Sequence, residues 1–322
     1  MVEQFTQHTY KALAVRQVTF YSSHSCTEDV QLDQYTAIMS CLPNLQCFSI
    51  QQQTWRTPQA RVVPFQGLSA VNKVTQLSFT GVNFPSPMHF LALVNAFPNL
   101  RKLSMDIIFW ASDSSQSYDV MYPPFRPPSL QHLSARQALA SITPHLLTRD
   151  TVQKLESVAL EAAVMQSWWS IFENDVVYDN LRKITVVDLM FYRAISLPTL
   201  PKTPNLKTFA LTGILIRTRN NRELDHVRYI VHNLQIVDSN SVEELFFEFY
   251  GVQEADLPLF SSAVWLPCLQ QSKFDHLQRI VYTFVGRSLK GLEGEITARV
   301  MDAHESFEKR ALIEIAVEDI SV

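Results

Sequence analysis

The side chains able to carry chemistry in this chain include nine histidines and four cysteines. His226 and His232 are six residues apart, which misses the i, i+4 spacing that places two metal ligands on one helix face. In "SHSC", Ser23 to Cys26, a histidine precedes a cysteine by two residues, but catalytic pairs are assembled by the fold rather than by adjacency. No G-x-S-x-G is present to mark a serine nucleophile. We therefore predict no catalytic residue, no cofactor and no bound metal.

Composition narrows the possible partners. The chain has seven glycines in 322 residues, too few and too scattered for a G-x-G-x-x-G or a phosphate-binding loop. Its formal net charge of −4 is unlike the basic balance of a nucleic-acid binder. No apolar run approaches the roughly 20 residues of a membrane helix, and no signal peptide opens the chain. The expectation is a protein partner without nucleic acid or membrane, in the cytoplasm or nucleus.

The positioning elements come from a repeated pattern. In "FPNLRKLSM", residues 97–105, apolar residues stand at i, i+3 and i+5, where i is called the anchor. The pattern occurs eleven times, at anchor steps of 25 to 36 residues. The copies are Val15-Val18-Phe20, Leu45-Phe48-Ile50, Val74-Leu77-Phe79, Leu100-Leu103-Met105, Leu130-Leu133-Ala135, Leu155-Val158-Leu160, Leu181-Ile184-Val186, Leu206-Phe209-Leu211, Val242-Leu245-Phe247, Leu277-Ile280-Tyr282 and Leu312-Ile315-Val317.

The spacing predicts a parallel sheet. Positions i+3 and i+5 point to the same side of a strand, and one strand cannot bury that side alone, so stacked copies share one core. Helix-length segments separate many of the copies: 31–42, 87–97, 136–147, 165–177, 221–234 and 256–269. We therefore predict an α/β solenoid with about eleven parallel strands on its concave side and helices on its convex side.

The same pattern sets the predicted organisation of the chain. We expect a short N-terminal segment, 1–14, a repeat region, 15–317, and a C-terminal tail, 318–322. Residues 111–128, polar and then rich in proline, are predicted to form an insertion loop between repeats. The tryptophans of "SWWSIF", Ser167 to Phe172, are interpreted as core residues, with an aromatic binding platform as the alternative.

These repeats resemble the leucine-rich repeat, L-x-x-L-x-L-x-x-[NC]-x-L, over residues 15 to 317. The departure is at the ninth position, where the family's Asn or Cys hydrogen-bonds along the solenoid. None is present among Ser23, Gln53, Val82, Ile108, Ala138, Ala163, Leu189, Ile214, Tyr250, Val285 and Ile320. We therefore expect an irregular solenoid.

Irregular repeats entered by Pro-Asn-Leu, as at Pro43, Pro98 and Pro204, also look like the repeat halves of fungal F-box proteins. The closing "KRALIEIAV", Lys309 to Val317, is similar to the way those chains end. The resemblance implies an intracellular protein-interaction module, the substrate-recognition half of an F-box-type ubiquitin ligase receptor. The sequence contains no F-box, so binding of the chain alone to the cullin adaptor is not expected.

The predicted partner-binding residues occupy positions i+2, i+4 and i+6, which point away from the core. That face is mostly small and polar, and the larger or charged side chains on it are expected to fix the partner. A merely solvated sheet face is one alternative, and an enzyme with an unrecognised pocket between repeats is another. The predicted contact residues are Lys102, Asp106, His132, Arg136, Glu161, Lys183, Glu244, Phe246, Glu248 and Arg279.

Overall fold

The computed structural model describes residues 9–21, 38–54, 73–84, 86–110, 130–136, 149–161, 177–187, 202–216, 223–260, 266–305 and 311–320. The chain forms two compact units, Met1–Leu155 and Glu156–Val322. Several predictions lie outside the described residues: the Ser23–Cys26 motif, the insertion loop at 111–128, and the segments at 137–147 and 165–176.

The first unit contains five strands that pair in parallel in chain order. They are β1 (Gln17–Tyr21), β2 (Cys47–Gln51), β3 (Gln76–Phe84), β4 (Lys102–Trp110) and β5 (His132–Arg136). Its described helices are α1 (Thr9–Ala14), α2 (Pro87–Asn95) and α3 (Arg149–Val152). Helix α2 has proline in its first turn, where the missing N–H costs nothing, and it packs on β3.

The second unit contains six strands, also parallel in chain order. They are β6 (Ser157–Glu161), β7 (Lys183–Val187), β8 (Thr208–Leu215), β9 (Glu244–Val252), β10 (Arg279–Gly286) and β11 (Leu312–Asp319). Its described helices are α4 (Glu223–Ile236), α5 (Leu266–Leu269) and α6 (Glu293–His304). The predicted α/β fold with about eleven parallel strands is confirmed.

The predicted core face is also confirmed for most copies. From Leu45 to Tyr282, every residue at i, i+3 and i+5 is at most 6% exposed. Facing partners in neighbouring strands occupy the same repeat position, as Leu77 and Leu103 do across β3 and β4. On β1, Val18 and Phe20 are half-buried. The interior strands from β2 to β10 therefore have their apolar side buried.

The eleventh copy was placed two residues too late. Leu312, predicted as an anchor, pairs with Arg279 at position i+2 and is 61% exposed. The residues equivalent to Ile280 and Tyr282 are Ile313 and Ile315. A slip of two residues leaves the inward and outward sides unchanged, so alternation alone could not detect the error.

Consecutive repeats are joined through backbone carbonyls at position i+1. The Arg16 carbonyl accepts hydrogen bonds from the N–H groups of Gln46 and Cys47, at 2.8 and 2.9 Å. The same arrangement, in which one carbonyl accepts two N–H groups of the next repeat, recurs within each unit. Its last example is the Glu243 carbonyl, which accepts from Gln278 and Arg279. The further carbonyls are those of Gln46, Thr75, Arg101, Glu156, Arg182 and Lys207. These bonds use no side chain, so they do not depend on which residues occupy the strand entrance.

A left-handed residue at position i+7 ends the regular alternation in four repeats. These residues are Gln52, Gly81, Ile107 and Gly213, with φ between 53° and 70°. The next residue, at the ninth position, is then buried, at 4% exposure for Gln53 and 0% for Val82, Ile108 and Ile214. The ninth position is therefore filled mainly by apolar side chains, where the consensus has a hydrogen-bonding one.

The helical segment predicted at 256–269 is not a single helix. A 3₁₀-helix covers Glu254–Phe260 and includes Pro258, and the short helix α5 begins at Leu266. Proline cannot donate the i to i−4 hydrogen bond of an α-helix, which disfavours α-helix over the segment that contains Pro258. The helices predicted at 87–97 and 221–234 are present as α2 and α4.

Candidate protein-binding face

In each unit, the sheet side opposite the core carries the residues at i+2, i+4 and i+6, here called the outward face. Strand register arranges them as three rows that run across the strands. In the first unit, the middle row consists of hydroxyl-bearing residues on all five strands: Thr19, Ser49, Ser78, Ser104 and Ser134. This hydroxyl row presents short side chains and no charge.

Four predicted contact residues flank the hydroxyl row. Lys102 and His132 face one another across β4 and β5 on one side of the row, and Asp106 and Arg136 do so on the other. Lys102 and Arg136 are exposed, and the other two are partly exposed. The structure thus places each of these residues on the outward face as predicted, and joins them as two neighbouring pairs.

In the second unit, an aromatic ring stands at the centre of a charged group. Phe246, on β9, has the Lys183 Nζ at 5.6 Å from its ring centroid and the Arg279 guanidinium carbon at 5.6 Å. Both distances fall within the range of cation–π attraction. Lys183, Glu244, Phe246, Arg279 and Glu314 are called the Phe246 cluster below.

The arginine of the cluster is held by two carboxylates. Arg279 donates to Glu314 through Nε at 2.9 Å and Nη2 at 2.5 Å, a bidentate arrangement, and its Nη1 lies 3.5 Å from Glu244. The hydrogen bond from Arg279 lowers the pKa of Glu314, and the same bond raises the pKa of Arg279. Arg279 is therefore fixed beside the ring by its partners on β9 and β11.

The lysine of the cluster is positioned differently. Lys183 lies on β7 at position i+2, and Phe246 lies two strands away in the middle row. On the strand between them, β8, Ala210 is the register partner of Phe246. Neighbouring strands are about 4.8 Å apart, so Lys183 reaches the ring across the small alanine side chain. Lys183 is exposed. Among the described side chains, no carboxylate lies within ion-pair distance of its ammonium group.

The remaining acids on this face have separate roles. Glu248 accepts a hydrogen bond from the backbone N–H of Gly213 at 3.2 Å, next to the left-handed turn of β8. Glu244 also accepts from the Thr208 hydroxyl at 3.2 Å. Glu161 ends β6 and faces Val187 in register, away from the Phe246 cluster. The structure therefore brings together Lys183, Glu244, Phe246 and Arg279, but not Glu161.

Sequence reasoning missed Glu314. The predicted register of its strand, β11, is shifted by two residues, and the predicted outward face ends at β10. The available signal was charge: Glu314 lies one row from Arg279 on the adjacent strand, within reach of a long side chain. A search for opposite charges at i+2 and i+4 of successive repeats would have found it.

A second cationic site in this unit stabilises a helix end. The Lys273 ammonium donates to the carbonyls of Leu234, Gln235 and Val237 at 2.7 to 3.2 Å, at the C-terminus of α4. Burial lowers the pKa of Lys273 and raises the pKa of nearby Cys268. A reactive thiol needs a lowered pKa, so this cysteine has a structural environment.

The described residues show neither a metal centre nor a membrane-spanning helix. That part of the chain contains no group of three or more His, Cys, Asp or Glu side chains arranged to hold a metal ion. It also contains no helix long and apolar enough to span a membrane.

Comparisons with known proteins find similarity among solved structures and none among family models or curated sequences. No family model matches the chain, and no curated protein sequence matches it. A crystal structure of a Bacteroides fragilis protein, solved in a structural genomics programme, is similar with a TM-score of 0.49 and 12% sequence identity. The match covers 96% of this chain and 76% of the other.

Proposed function

We propose that this protein is a protein-interaction module that binds its partner through the outward face of the second unit. The observation that carries the proposal is the Phe246 ring, which faces away from the core between Lys183 and Arg279. An aromatic side chain placed among charged groups is a frequent centre of binding energy at protein interfaces.

The partner contact follows from how the two cations are held. Arg279 is engaged by Glu244 and Glu314, so its role is to orient the ring. Lys183 is exposed, and its ammonium group is available to a carboxylate of the partner. A matching partner segment would place an apolar side chain on Phe246 and an acidic one near Lys183, which combines contact area with charge complementarity.

We further propose that the module serves as the substrate-recognition half of an F-box-type ubiquitin ligase receptor. The support is the repeat resemblance given above, together with a sheet face that presents a defined contact centre. In this role, an F-box module joined to the repeats supplies the link to the ligase. In this role, the partner of the Phe246 cluster is the protein to be ubiquitinated.

The binding role is tested by quantitative capture from a fungal lysate. Wild-type protein is compared with Phe246→Ala, Lys183→Glu and the control Thr283→Ala, which changes an outward residue outside the cluster. We expect one set of proteins to be retained by wild type and Thr283→Ala and reduced at least tenfold by both cluster variants. Equal retention by all four proteins would refute the assigned binding face.

The ligase role needs a separate experiment. An F-box module fused upstream of the chain should direct a reconstituted cullin ligase to ubiquitinate the captured protein, and Phe246→Ala should abolish the modification. Cluster-dependent capture without ubiquitination by the fusion would leave the interaction module standing and remove the receptor role. The unfused chain should not co-purify with the cullin adaptor.

A further inference from the structure

The last strand of the second unit has an apolar side that is only half-covered. On β10, Ile280, Tyr282 and Phe284 are at most 1% exposed, whereas their register partners on β11 are only half-buried. Leu312, at the start of β11, is 61% exposed. Within the described residues, β11 pairs with β10 and with no other strand. Its second edge is therefore open to pairing.

The backbone groups of β11 divide between the edge that pairs with β10 and the open edge. Leu312 donates its N–H to Gln278, and Ile320 donates to Gly286, both toward β10. Because backbone groups alternate in direction along a strand, the even-numbered residues of β11 face β10. The N–H and C=O groups of Ile313, Ile315 and Val317 then point to the open edge, on the same residues whose side chains form the half-covered apolar stripe.

We propose that β11 pairs antiparallel with β11 of a second copy of this chain, about a twofold axis at Ile315. In this register Ile315 faces its own equivalent and Ile313 faces Val317, and each facing pair exchanges two backbone hydrogen bonds. The half-covered apolar stripes of the two copies become continuous. The dimer uses the edge of β11, whereas the partner proposed above binds the outward face; the two surfaces adjoin at Glu314, which belongs to the Phe246 cluster and lies on β11.

The sequence of β11 favours a second copy over an unrelated strand because it is self-complementary. On the outward side, Glu314 falls opposite Ala316, and Glu318 falls opposite Leu312. No two acidic residues of β11 oppose each other in this register, although the strand carries three. Closed twofold pairing of one surface with itself is also the commonest symmetry of homo-oligomers.

Light scattering during size-exclusion chromatography tests the dimer over about 1 to 200 µM protein. We expect the mass to rise from the 36.9 kDa of one protomer to twice that value and to stop there. A single protomer at every concentration would overturn the proposal. A mass that continues to rise would also overturn it, since head-to-tail contacts between different edges produce open polymers.

Two substitutions at one position test the register. Ala316→Glu places a like charge opposite Glu314 twice in each dimer and should weaken dimerisation roughly two- to thirty-fold, whereas Ala316→Lys should strengthen it by a similar factor. The control Thr283→Glu adds the same charge one strand away from the edge and should leave dimerisation unchanged. Circular dichroism confirms that each variant is folded. A dimer whose affinity is the same for Ala316→Glu and Ala316→Lys would refute the proposed pairing.

Discussion

The two units use one core pattern but have different outward faces. In the first unit, the middle row is formed by Thr19 and four serines, without a charge or a large side chain. In the second unit, the corresponding row contains Phe246 and Glu314, joined to charges in the row beside it. Since the inward positions alone satisfy the core, the outward positions are free to differ. The core and the side chains of the outward face are therefore carried by alternate residues of the same strands.

The largest expected effect tests whether the two cores are equivalent. Leu103 and Leu245 occupy position i+3 of β4 and β9, and both are fully buried. Each Leu→Ala change should lower the free energy of unfolding by ~2–5 kcal/mol through lost burial and a residual cavity. Urea unfolding followed by circular dichroism measures the effect, with Ser104→Ala as the outward control. A cost below about 1 kcal/mol for one leucine alone would break the equivalence.

The next effect is a pH dependence confined to the second unit. His304 of α6 is buried, with its Nε2 atom 2.8 Å from the Tyr282 hydroxyl oxygen, and burial lowers its pKa from 6.5 to about 4. The unfolded chain therefore binds a proton first as the pH falls. The stabilisation from neutral His304 is complete above pH 6.5 and is lost as the pH falls from 6.5 to about 4, by an amount on the order of 2 kcal/mol.

The control for this pH effect is His304→Gln, which keeps a polar group near Tyr282 and removes the titration. Unfolding free energies of wild type and variant are measured from pH 7.5 to 4. The wild type should lose more stability than the variant over the window. Identical pH profiles for the two proteins would mean that His304 makes no contribution to acid sensitivity.

A smaller effect is expected from Gly→Ala substitutions, which should destabilise the first unit at Gly81 and stabilise the second unit at Gly294. Gly81 has φ of 64°, so Gly81→Ala should cost about 1 kcal/mol, although the added Cβ would make only ordinary contacts with Gln52, at 3.5 to 3.8 Å. Gly294 lies in α6 with no atom within 4 Å of an added Cβ, and Gly294→Ala should stabilise by ~0.5–1 kcal/mol. Thermal unfolding decides the signs. Destabilisation by both changes would contradict the assigned helical site.

The smallest expected effect separates binding from stability. Phe246→Ala removes two cation–π contacts at a partly exposed ring, and should change the free energy of unfolding by about 1 kcal/mol or less. The same urea titration used for the leucines gives the value. A cost comparable to that of Leu245→Ala would show that the Phe246 cluster is part of the structural core.

Most of the repeat register was predictable because it rests on burial. A strand with apolar residues at i+3 and i+5 is stable only with that side turned toward the core. For this reason, ten of the eleven predicted anchors are correct. The failure at Leu312 has a physical cause: a two-residue shift preserves the face of every side chain, and only pairing with Arg279 and its neighbours distinguishes the alternatives. The two-unit division had no comparable signal in the repeat spacing.

The candidate site was predictable in part. The alternation placed Phe246, Lys183 and Arg279 on the outward face, but their association depends on how far each side chain reaches across neighbouring strands. The left-handed residues at i+7 were also missed, although Gly81 and Gly213 stand seven residues after their anchors. Gln52 and Ile107 occupy the same position and also have positive φ, although neither is glycine. The residue types at i+7 therefore do not reveal that the four repeats share this backbone conformation.

The carbonyls at position i+1 have a consequence for how such a chain can change during evolution. In eight described repeats, the carbonyl at position i+1 receives two hydrogen bonds from the backbone of the next repeat, as Thr75 does from Arg101 and Lys102. The joint is thus the same in each of these pairs of repeats, whatever their side chains. A whole repeat can be duplicated or lost with the joint re-formed between the new neighbours. Recombination within the gene could then lengthen or shorten the molecule and reorder its outward residues, and no new side-chain contacts would be needed at the joint between repeats.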